Sequence, residues 1–358
     1  MRDYNEVKCL EHSIIIIRRE KVFTRLLSNL PFDRLLILCD INTWKYCFHE
    51  IVPALSSKSC HIHIIEAGEE SKNLSTLEGI WETLSNEGFR RNDAILNLGG
   101  GVVCDIGGLA AATFQRGMQF IHVPTTLLAM VDAAIGGKNA INFEGLKNQI
   151  GVFAFPYQTF IYPKFLRTLP YRQIRSGFVE MLKHALLKGD DLWNRLSAIE
   201  PEEVMHYLLY ISDAIKVKVS YVDEDPFDQG IRQALNFGHT AGHAFEEWSF
   251  LKQPEPMLHG EAIALGMLVE LDLSVKLTGL DDNFALLASN IFKKYIHFPI
   301  PTLQDIEQLI DLAGFDKKNK DQSIRFSLLQ KTGKPVVQVA VSRETLRNVL
   351  QNIILSLS

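Results

Sequence analysis

Five short apolar runs in the first half of the chain alternate with segments of helical periodicity. Each run has the length of a buried strand, roughly 4–8 residues. The runs lie at 13–17, 34–40, 61–67, 93–100 and 120–126. Segments 42–55 and 73–88 carry apolar residues at helical spacing between the runs. Strands that alternate with helices predict a parallel sheet with helices on both faces, and this pattern restricts the fold more than any other feature of the sequence.

From about Tyr171 the pattern changes to long amphipathic segments, which are typical of helices. These segments lie at 171–189, 201–222, 240–248, 259–278 and 281–296. Two late runs, 325–330 and 336–341, predict a small hairpin. Because one domain takes roughly 100–200 residues, the chain has room for two. We predict an α/β N-terminal domain with a Rossmann-like parallel sheet, 1–163, followed by a mainly α-helical C-terminal domain, 164–358.

Charge and cysteine usage narrow the class of protein. The net charge of −5 argues against nucleic acid as a partner, because nucleic-acid binding needs a basic field. Five cysteines without a CxxC pair favour a reducing compartment. Pro124 and Asp132 interrupt the most apolar stretch, and the first residues contain no signal-peptide run, so no membrane partner is expected. A cytoplasmic enzyme is the expectation.

A glycine run, Gly99-Gly100-Gly101, ends one predicted strand and leads into a helical segment of small residues. Consecutive glycines let the backbone approach a pyrophosphate, and the helix N-terminus offers N–H groups and a positive dipole end. The run predicts nucleotide binding, with a plain tight turn as the alternative. Asp40, at the end of an earlier strand, is either a ribose contact or a cap for the helix that begins near Thr43.

Histidines form the sharpest local pattern. His239 and His243 are four residues apart and share one face of a helix, and His259 stands at the apparent start of the next helix. A catalytic zinc takes three protein ligands from His and carboxylate. Glu180 lies in an apolar helical segment, where a carboxylate needs a charged partner or a cation, and Lys183 follows one turn later. The pattern predicts a metal site.

Basic and amide side chains lie close in sequence to the glycine run and to the histidines, although scattered Lys and Arg residues are usually solvated. Fixed cations suit a substrate that carries both phosphate and carboxylate groups. The members of this set are Lys138, Lys147-Asn148 in a predicted loop, Lys216, Arg232 and Asn236.

Six segments together resemble 3-dehydroquinate synthase, in the family's order and with similar spacing. The resemblance runs from about Ile37 to Lys318 and is densest between residues 99 and 261. The segments are GGGVVCDIGGLAAATFQRG, VPTTLLAMVDAAIGGKNAIN, KNQIG, SGFVEMLKHALL, DPFDQGIRQALNFGHTAGHAFE and LHGEAIALGM.

The resemblance implies a zinc site, with Co²⁺ as a substitute metal, a catalytic NAD and an acidic sugar-phosphate substrate. The implied metal ligands are Glu180, His239 and His259. The implied NAD contacts are Asp40, Asn42, Glu69, Lys72, Gly100, Gly101, Val102, Asp105, Thr125, Thr126, Lys147, Phe165, Leu166 and Thr168. The implied substrate contacts are Arg116, Asp132, Lys138, Asn148, Lys183, Lys216, Arg232, Asn236, His243 and Lys317 or Lys318. Arg116 matches an arginine that reaches the partner's site, so the resemblance also implies a homodimer.

The implied reaction converts 3-deoxy-D-arabino-heptulosonate 7-phosphate to 3-dehydroquinate and phosphate. NAD takes a hydride and returns it in each turnover, zinc acts as a Lewis acid, and Asp228, His243 and Lys183 are the implied catalytic residues. Asp228 stands where the family usually has Glu, which leaves its general-base role open. Cys104 replaces a common Gly and Asn139 a common Thr.

Three other functions fit parts of the pattern. A sibling sugar-phosphate cyclase would use a substrate without a carboxylate, which the cations around Arg232 disfavour. A metal-dependent polyol dehydrogenase would release NADH from simple alcohols. A non-catalytic NAD-binding protein would have no need for the full set of metal ligands and cations.

Overall fold

The computed structural model describes residues 3–314 and 323–357. The chain divides into two compact units, which are described one at a time. The first unit comprises Met1–Ile174 and Tyr210–Asp223, and the second comprises Arg175–Leu209 and Glu224–Ser358. The domain boundary at residue 163 stays a prediction.

The strands in the described residues are β1 (Tyr4–Cys9), β2 (His12–Ile17), β3 (Arg34–Asp40), β4 (Ser59–Ile65), β5 (Ala94–Gly99), β6 (Gln119–Pro124), β7 (Lys138–Phe143), β8 (Leu146–Phe153), β9 (Gln158–Ile161), β10 (Ile324–Lys331) and β11 (Lys334–Val341). The α-helices are α1 (Glu20–Ser28), α2 (Ile41–Tyr46), α3 (Phe48–Ile51), α4 (Leu74–Asn86), α5 (Gly101–Thr113), α6 (Tyr171–Lys188), α7 (Asp190–Ser197), α8 (Ile211–Glu224), α9 (His239–Lys252), α10 (His259–Thr278), α11 (Asp282–Lys293), α12 (Ile306–Ala313) and α13 (Arg343–Leu357).

The first unit contains a seven-stranded sheet in the order β1-β2-β9-β6-β5-β3-β4. The edge strand β1 pairs antiparallel with β2, and all the other pairs in this sheet are parallel. Apolar residues of β3, β5 and α5 pack in one core cluster with α4. A side chain at Gly107 of α5 would meet Asn97 Oδ1 at 1.9 Å, so only glycine lets this helix lie so close to β5. The predicted α/β sheet is confirmed.

A polar row crosses this sheet at its centre. Asn97 of β5, His122 of β6 and Thr159 of β9 are register partners on neighbouring strands, and all three are buried. Asn97 Nδ2 lies 3.3 Å from His122 Nδ1. His12, also buried, stacks on Phe155 with 5.5 Å between the ring centroids. Because burial disfavours the charged imidazole, it lowers the pKa of His122 to about 3 and that of His12 to about 4.

Two predicted helices differ from the structure, and one hairpin was not predicted. The helix predicted at 42–55 is divided into α2, α3 and a 3₁₀ turn, Val52–Ala54, which has a proline in its first turn. The helix predicted at 201–222 begins as a 3₁₀ segment, Pro201–Tyr210, before α8. A hairpin formed by β7 and β8 was not predicted, and it places Lys147 and Asn148 in a strand rather than in a loop.

In the second unit, α9 and α10 run antiparallel and are closely packed. A side chain at Gly266 would meet Gly238 O at 2.0 Å, and one at Gly242 would meet Ile263 Cδ1 at 2.7 Å. The predicted small hairpin is confirmed as β10 and β11. The mainly helical character predicted for this part of the chain is also confirmed. None of the helices in the described residues combines the length and the apolar character that a membrane crossing needs.

Candidate active site

Three helices of the second unit bring a carboxylate and two imidazoles together. Glu180 is fully buried in α6, and His239 and His259 are the first residues of α9 and α10. Glu180 Oε1 lies 3.6 Å from His239 Nε2 and 3.5 Å from His259 Nε2. The three candidate ligand atoms all lie within 4.8 Å of one another. The residues predicted as metal ligands therefore form one cluster.

The spacing of this cluster fits a shared cation better than direct hydrogen bonds. Hydrogen bonds join N and O atoms at about 2.7–3.2 Å, which is shorter than the distances from Glu180 to the two histidines. Ligands about 2.0–2.1 Å from a tetrahedral zinc lie roughly 3.3–3.4 Å from one another. A cluster of one carboxylate and two imidazoles is also a common ligand set of catalytic zinc.

Two further side chains, those of Lys183 and His243, lie beside the cluster. Lys183, one turn after Glu180 on α6, is buried with its Nζ 2.5 Å from Glu180 Oε2, which confirms the predicted ion pair. His243 is exposed on α9, and its ring centroid lies 5.3 Å from that of His239 and 5.9 Å from that of His259. Both side chains are near enough to act on a molecule bound at the cluster.

The two imidazoles have opposite protonation preferences. Burial lowers the pKa of His239 well below its usual range, and the Lys183 ammonium acts in the same direction against Glu180. Burial also disfavours the charged form of His259, but Glu180 and Glu246 outweigh it and raise the pKa of His259 to about 10. A metal ion that binds His259 would therefore displace a proton from it.

Two more buried carboxylates connect α9 and α10. Glu246 of α9 has its Oε2 atom 3.5 Å from His259 Nδ1. Glu270 of α10 accepts hydrogen bonds from the backbone N–H groups of Gly238, at 2.6 Å, and Ala241, at 3.2 Å. Burial raises the pKa of Glu270 to about 8, although these N–H groups favour its ionised form. Neither residue was singled out from the sequence.

A loop before α9 holds the predicted carboxylate anchor. Asp225 accepts backbone N–H bonds from Gln229, Gly230 and Arg232, and these bonds lower the pKa of its carboxyl. Arg232 is only 2% exposed, and its Nη1 donates to Pro226 O at 2.6 Å. The 3₁₀ segment Ile231–Asn236 carries Arg232 and the exposed Asn236.

In the first unit, the glycine run has the predicted form of a strand followed by a helix. Gly99 ends β5, Gly100 is the N-cap residue and Gly101 begins α5. A side chain at Gly100 would lie 3.2 Å from Thr126 Cγ2, so the turn is tight. Asp40 caps α2 by accepting from Asn42 N at 2.9 Å and Thr43 N at 2.8 Å, which confirms the predicted cap.

Several predicted nucleotide contacts of the first unit meet in one polar network. Lys72 is buried, and its Nζ lies 2.5 Å from Asp105 Oδ2 and 2.5 Å from Asn148 Oδ1. Asn142 donates to Glu69 Oε1 at 2.9 Å and accepts from the Asn148 N–H at 3.0 Å. Burial raises the pKa of Asp105 although Lys72 opposes this. The network thus joins residues that were predicted for two different ligands.

Lys218 is a candidate that the sequence reasoning missed. It is buried on α8, and its Nζ lies 2.7 Å from both Asp132 Oδ1 and Asp132 O. Lys216, the predicted residue, is exposed and lies 3.5 Å from Asp213. Both lysines belong to the same IKVKV segment of α8, and because they are two residues apart they lie on different faces of the helix. Nothing in the sequence indicates which of these faces is buried.

The remaining predicted residues are dispersed over the first unit. Arg116 and Lys138 are exposed and Lys147 is half-buried, whereas Phe165 and Leu166 bury their side chains and leave only their backbone for a ligand. The other predicted residues here are Val102, which packs against the core, Thr125, which donates to Gly99 O, and Thr168, which is exposed. Lys317 and Lys318 lie outside the described residues.

Three predicted site residues have left-handed backbone conformations that only glycine adopts easily. Their φ angles are +66° at Arg116, +54° at Asn148 and +59° at Asp228. Non-glycine residues with such angles are uncommon, and they are concentrated at functional sites. Asn and Asp tolerate the conformation better than other non-glycine residues, so the strain is greatest at Arg116.

Comparison with known proteins gives one consistent family. A family model described as 3-dehydroquinate synthase N-terminal matches residues 62–176, and one described as 3-dehydroquinate synthase C-terminal matches residues 177–319. The 3-dehydroquinate synthase of Parabacteroides distasonis is 42% identical over 320 residues, which cover 89% of this chain and 90% of the relative. That of Legionella pneumophila (strain Lens) is 36% identical over 96% of this chain and 94% of the relative.

Solved structures extend this result to the fold. The crystal structure of 2-deoxy-scyllo-inosose synthase, complexed with carbaglucose-6-phosphate, NAD⁺ and Co²⁺, has a TM-score of 0.84 and 25% identity. The match covers 98% of this chain and 99% of that chain. Because models of one family match both halves of the sequence and a relative is 42% identical over most of its length, the chain belongs to the 3-dehydroquinate synthase family and is an enzyme of that kind.

Proposed function

We propose that the enzyme converts 3-deoxy-D-arabino-heptulosonate 7-phosphate to 3-dehydroquinate and phosphate, a step of the shikimate pathway that leads to aromatic amino acids. The cluster of Glu180, His239 and His259 in a member of this family is the observation that carries the proposal. The two dehydroquinate synthases compared are 36% and 42% identical to this chain, whereas the 2-deoxy-scyllo-inosose synthase is 25% identical. This difference favours the substrate with a carboxylate.

The cofactors of the proposal are zinc, with Co²⁺ as a substitute, and NAD. Glu180, His239 and His259 would hold the metal, and the glycine turn at the start of α5 would receive the pyrophosphate of NAD. When bound, zinc supplies Lewis acidity toward a substrate oxygen, and NAD accepts and returns a hydride. The 2-deoxy-scyllo-inosose synthase structure contains NAD⁺ and Co²⁺, which supports this pair of cofactors.

The chain's own side chains would bind the substrate and move protons. Arg232, fixed by the Asp225 loop, would hold the carboxylate through two parallel hydrogen bonds. Lys183, whose Nζ contacts Glu180 Oε2, can donate to a substrate oxygen at the cluster. His243, exposed beside the cluster, can give or take a proton, and Asp228 can accept one.

We also propose roles for residues of the first unit. Asp132 would contact the substrate, and the buried Lys218, whose Nζ lies 2.7 Å from Asp132 Oδ1, would hold its carboxylate in place. The role of Lys216 stays a prediction, as do those of Lys138, Asn148 and Lys317. A homodimer in which Arg116 reaches the partner's site, and a cytoplasmic location, are parts of the same proposal.

One assay separates the proposed reaction from its alternatives. The purified enzyme is given 3-deoxy-D-arabino-heptulosonate 7-phosphate with NAD and zinc, and phosphate, dehydroquinate and NADH absorbance are followed. We expect phosphate and dehydroquinate in equal amounts, far in excess of the NAD supplied, without steady NADH accumulation. Stoichiometric NADH would favour a polyol dehydrogenase. Equal turnover of a sugar phosphate without the carboxylate would favour a sibling cyclase.

A further inference from the structure

Both histidines of the metal cluster occupy the same position in their helices. His239 is the first residue of α9, and His259 is the first residue of α10. The first turn of a helix has backbone N–H groups without partners inside the helix, and helix ends fray easily. A ligand at this position therefore needs support from outside its own helix if the metal geometry is to stay fixed.

The support for α9 comes from α10. The Glu270 carboxylate is buried, and its two oxygens accept from Gly238 N and Ala241 N on either side of His239. A carboxylate at a helix N-terminus is also stabilised by the helix dipole. His239 Nδ1 lies 3.3 Å from Phe237 O, which directs Nε2 toward Glu180. Glu270 thus fixes the backbone from which His239 extends.

The support for α10 comes from α9. Glu246 is buried and faces His259 Nδ1, while the opposite ring atom, Nε2, faces Glu180. At 3.5 Å the Glu246 carboxylate attracts the Nδ1 side of the ring electrostatically, and this attraction favours the ring orientation in which Nε2 faces the metal position. The Glu246 carboxylate therefore acts on the side chain of His259, whereas Glu270 acts on the backbone around His239.

We infer that Glu246 and Glu270 are reciprocal positioning residues: each belongs to one of the two antiparallel helices and fixes the metal ligand at the start of the other. The inference rests on the proposed metal site and goes beyond it, since neither carboxylate is among the three candidate ligands of Glu180, His239 and His259. Loss of either carboxylate should weaken metal binding without removing a ligand. Second-layer partners of this kind typically change metal affinity by roughly 10–100-fold.

The test uses the full-length protein, stripped of metal and reloaded with Co²⁺. Glu246→Gln removes the negative charge of the carboxylate beside His259. Glu270→Gln replaces one acceptor oxygen by an NH₂ group, which cannot accept from the backbone N–H that it faces. Glu247→Gln on α9 and Asp272→Asn on α10 are matched controls on the same helices. Three quantities are measured: the Co²⁺ dissociation constant by chelator competition, the visible Co²⁺ absorption spectrum, and the Tm of the metal-free protein.

We expect both positioning variants to bind Co²⁺ roughly 10–100-fold more weakly and to shift its visible spectrum, while the controls match wild type. A merely structural role would lower the metal-free Tm and leave the spectrum of the folded protein unchanged. If Glu270→Gln fails to fold, Glu246→Gln alone decides. Wild-type affinity and spectrum in the variants that fold would overturn the inference. If wild type and His259→Ala bind Co²⁺ equally, the proposed metal site itself is wrong.

Discussion

Acidification should destabilise the first unit through the two buried histidines of its sheet. His122 and His12 keep pKa values of about 3 and about 4 in the folded protein, mainly because burial disfavours their charged forms. In the unfolded chain an imidazole has a pKa of about 6.5. Between pH 6.5 and pH 4 the unfolded state therefore binds protons that the folded state does not.

The size of the effect follows from this difference. Each histidine lowers the free energy of unfolding by about 1.4 kcal/mol for every pH unit below 6.5. At pH 5 the penalty is about 2 kcal/mol for one histidine and about 4 kcal/mol for both. Domains of this kind are stable by about 5–15 kcal/mol, so the loss is a large part of the total. Above pH 6.5 both states hold neutral imidazoles and the penalty is absent.

His122→Asn tests this reasoning because Asn keeps a polar group near Asn97 without titrating. The free energy of unfolding is measured in urea between pH 4.5 and 7, with the fluorescence of Trp44 and Trp81 as the signal in a Trp193→Phe, Trp248→Phe background. In the variant, the slope of the free energy of unfolding against pH should be smaller than in wild type by about 1.4 kcal/mol per pH unit. Thr159→Val, a change in the same polar row, should keep the wild-type slope. Equal slopes in wild type and His122→Asn would refute the argument.

Three further predictions concern the second unit. His259→Ala should nearly abolish bound zinc, measured by atomic absorption on dialysed protein, because three ligands leave little redundancy; full occupancy would contradict the assignment. Arg232→Ala should lose about 2–5 kcal/mol of transition-state stabilisation and Arg232→Lys should recover only part, measured as kcat/KM; an unchanged value would exclude Arg232 as the carboxylate anchor. Gly266→Ala should cost about 1–3 kcal/mol of stability and weaken metal binding, because its Cβ would lie 2.0 Å from Gly238 O; wild-type Tm and affinity would show that the helices separate freely.

The α/β alternation of the first unit could be predicted because buried parallel strands are continuous apolar runs. The β7–β8 hairpin could not, since β8 is mostly exposed and its residues show no alternating hydrophobic pattern. The continuous helix predicted at 201–222 was wrong because periodicity of apolar residues does not distinguish a 3₁₀ segment from the α-helix that follows it.

The sequence predicted more of the candidate metal cluster than of the set of Lys and Arg side chains proposed to bind the substrate. Spacing alone placed His239 and His243 on one helix and His259 at the start of another, as the structure has them. The choice between Lys216 and Lys218 depends on which face of α8 is buried, and that is set by tertiary packing. Glu270 was missed because its partners are backbone N–H groups more than 25 residues away in sequence.

The left-handed residues have a consequence for attempts to make this enzyme more heat-resistant. Such a non-glycine residue stores roughly 1–3 kcal/mol of strain, and less where it is Asn or Asp, so a selection for stability would favour glycine at Arg116 and, more weakly, at Asp228. Both replacements would remove side chains that the proposed reaction uses. Glu144 and Gln338 have φ angles of +49° and +59° and no proposed role. Glycine or Asn at these two positions should raise the melting temperature without loss of turnover. The φ angles therefore identify the positions at which a gain in heat resistance would cost activity and those at which it would not.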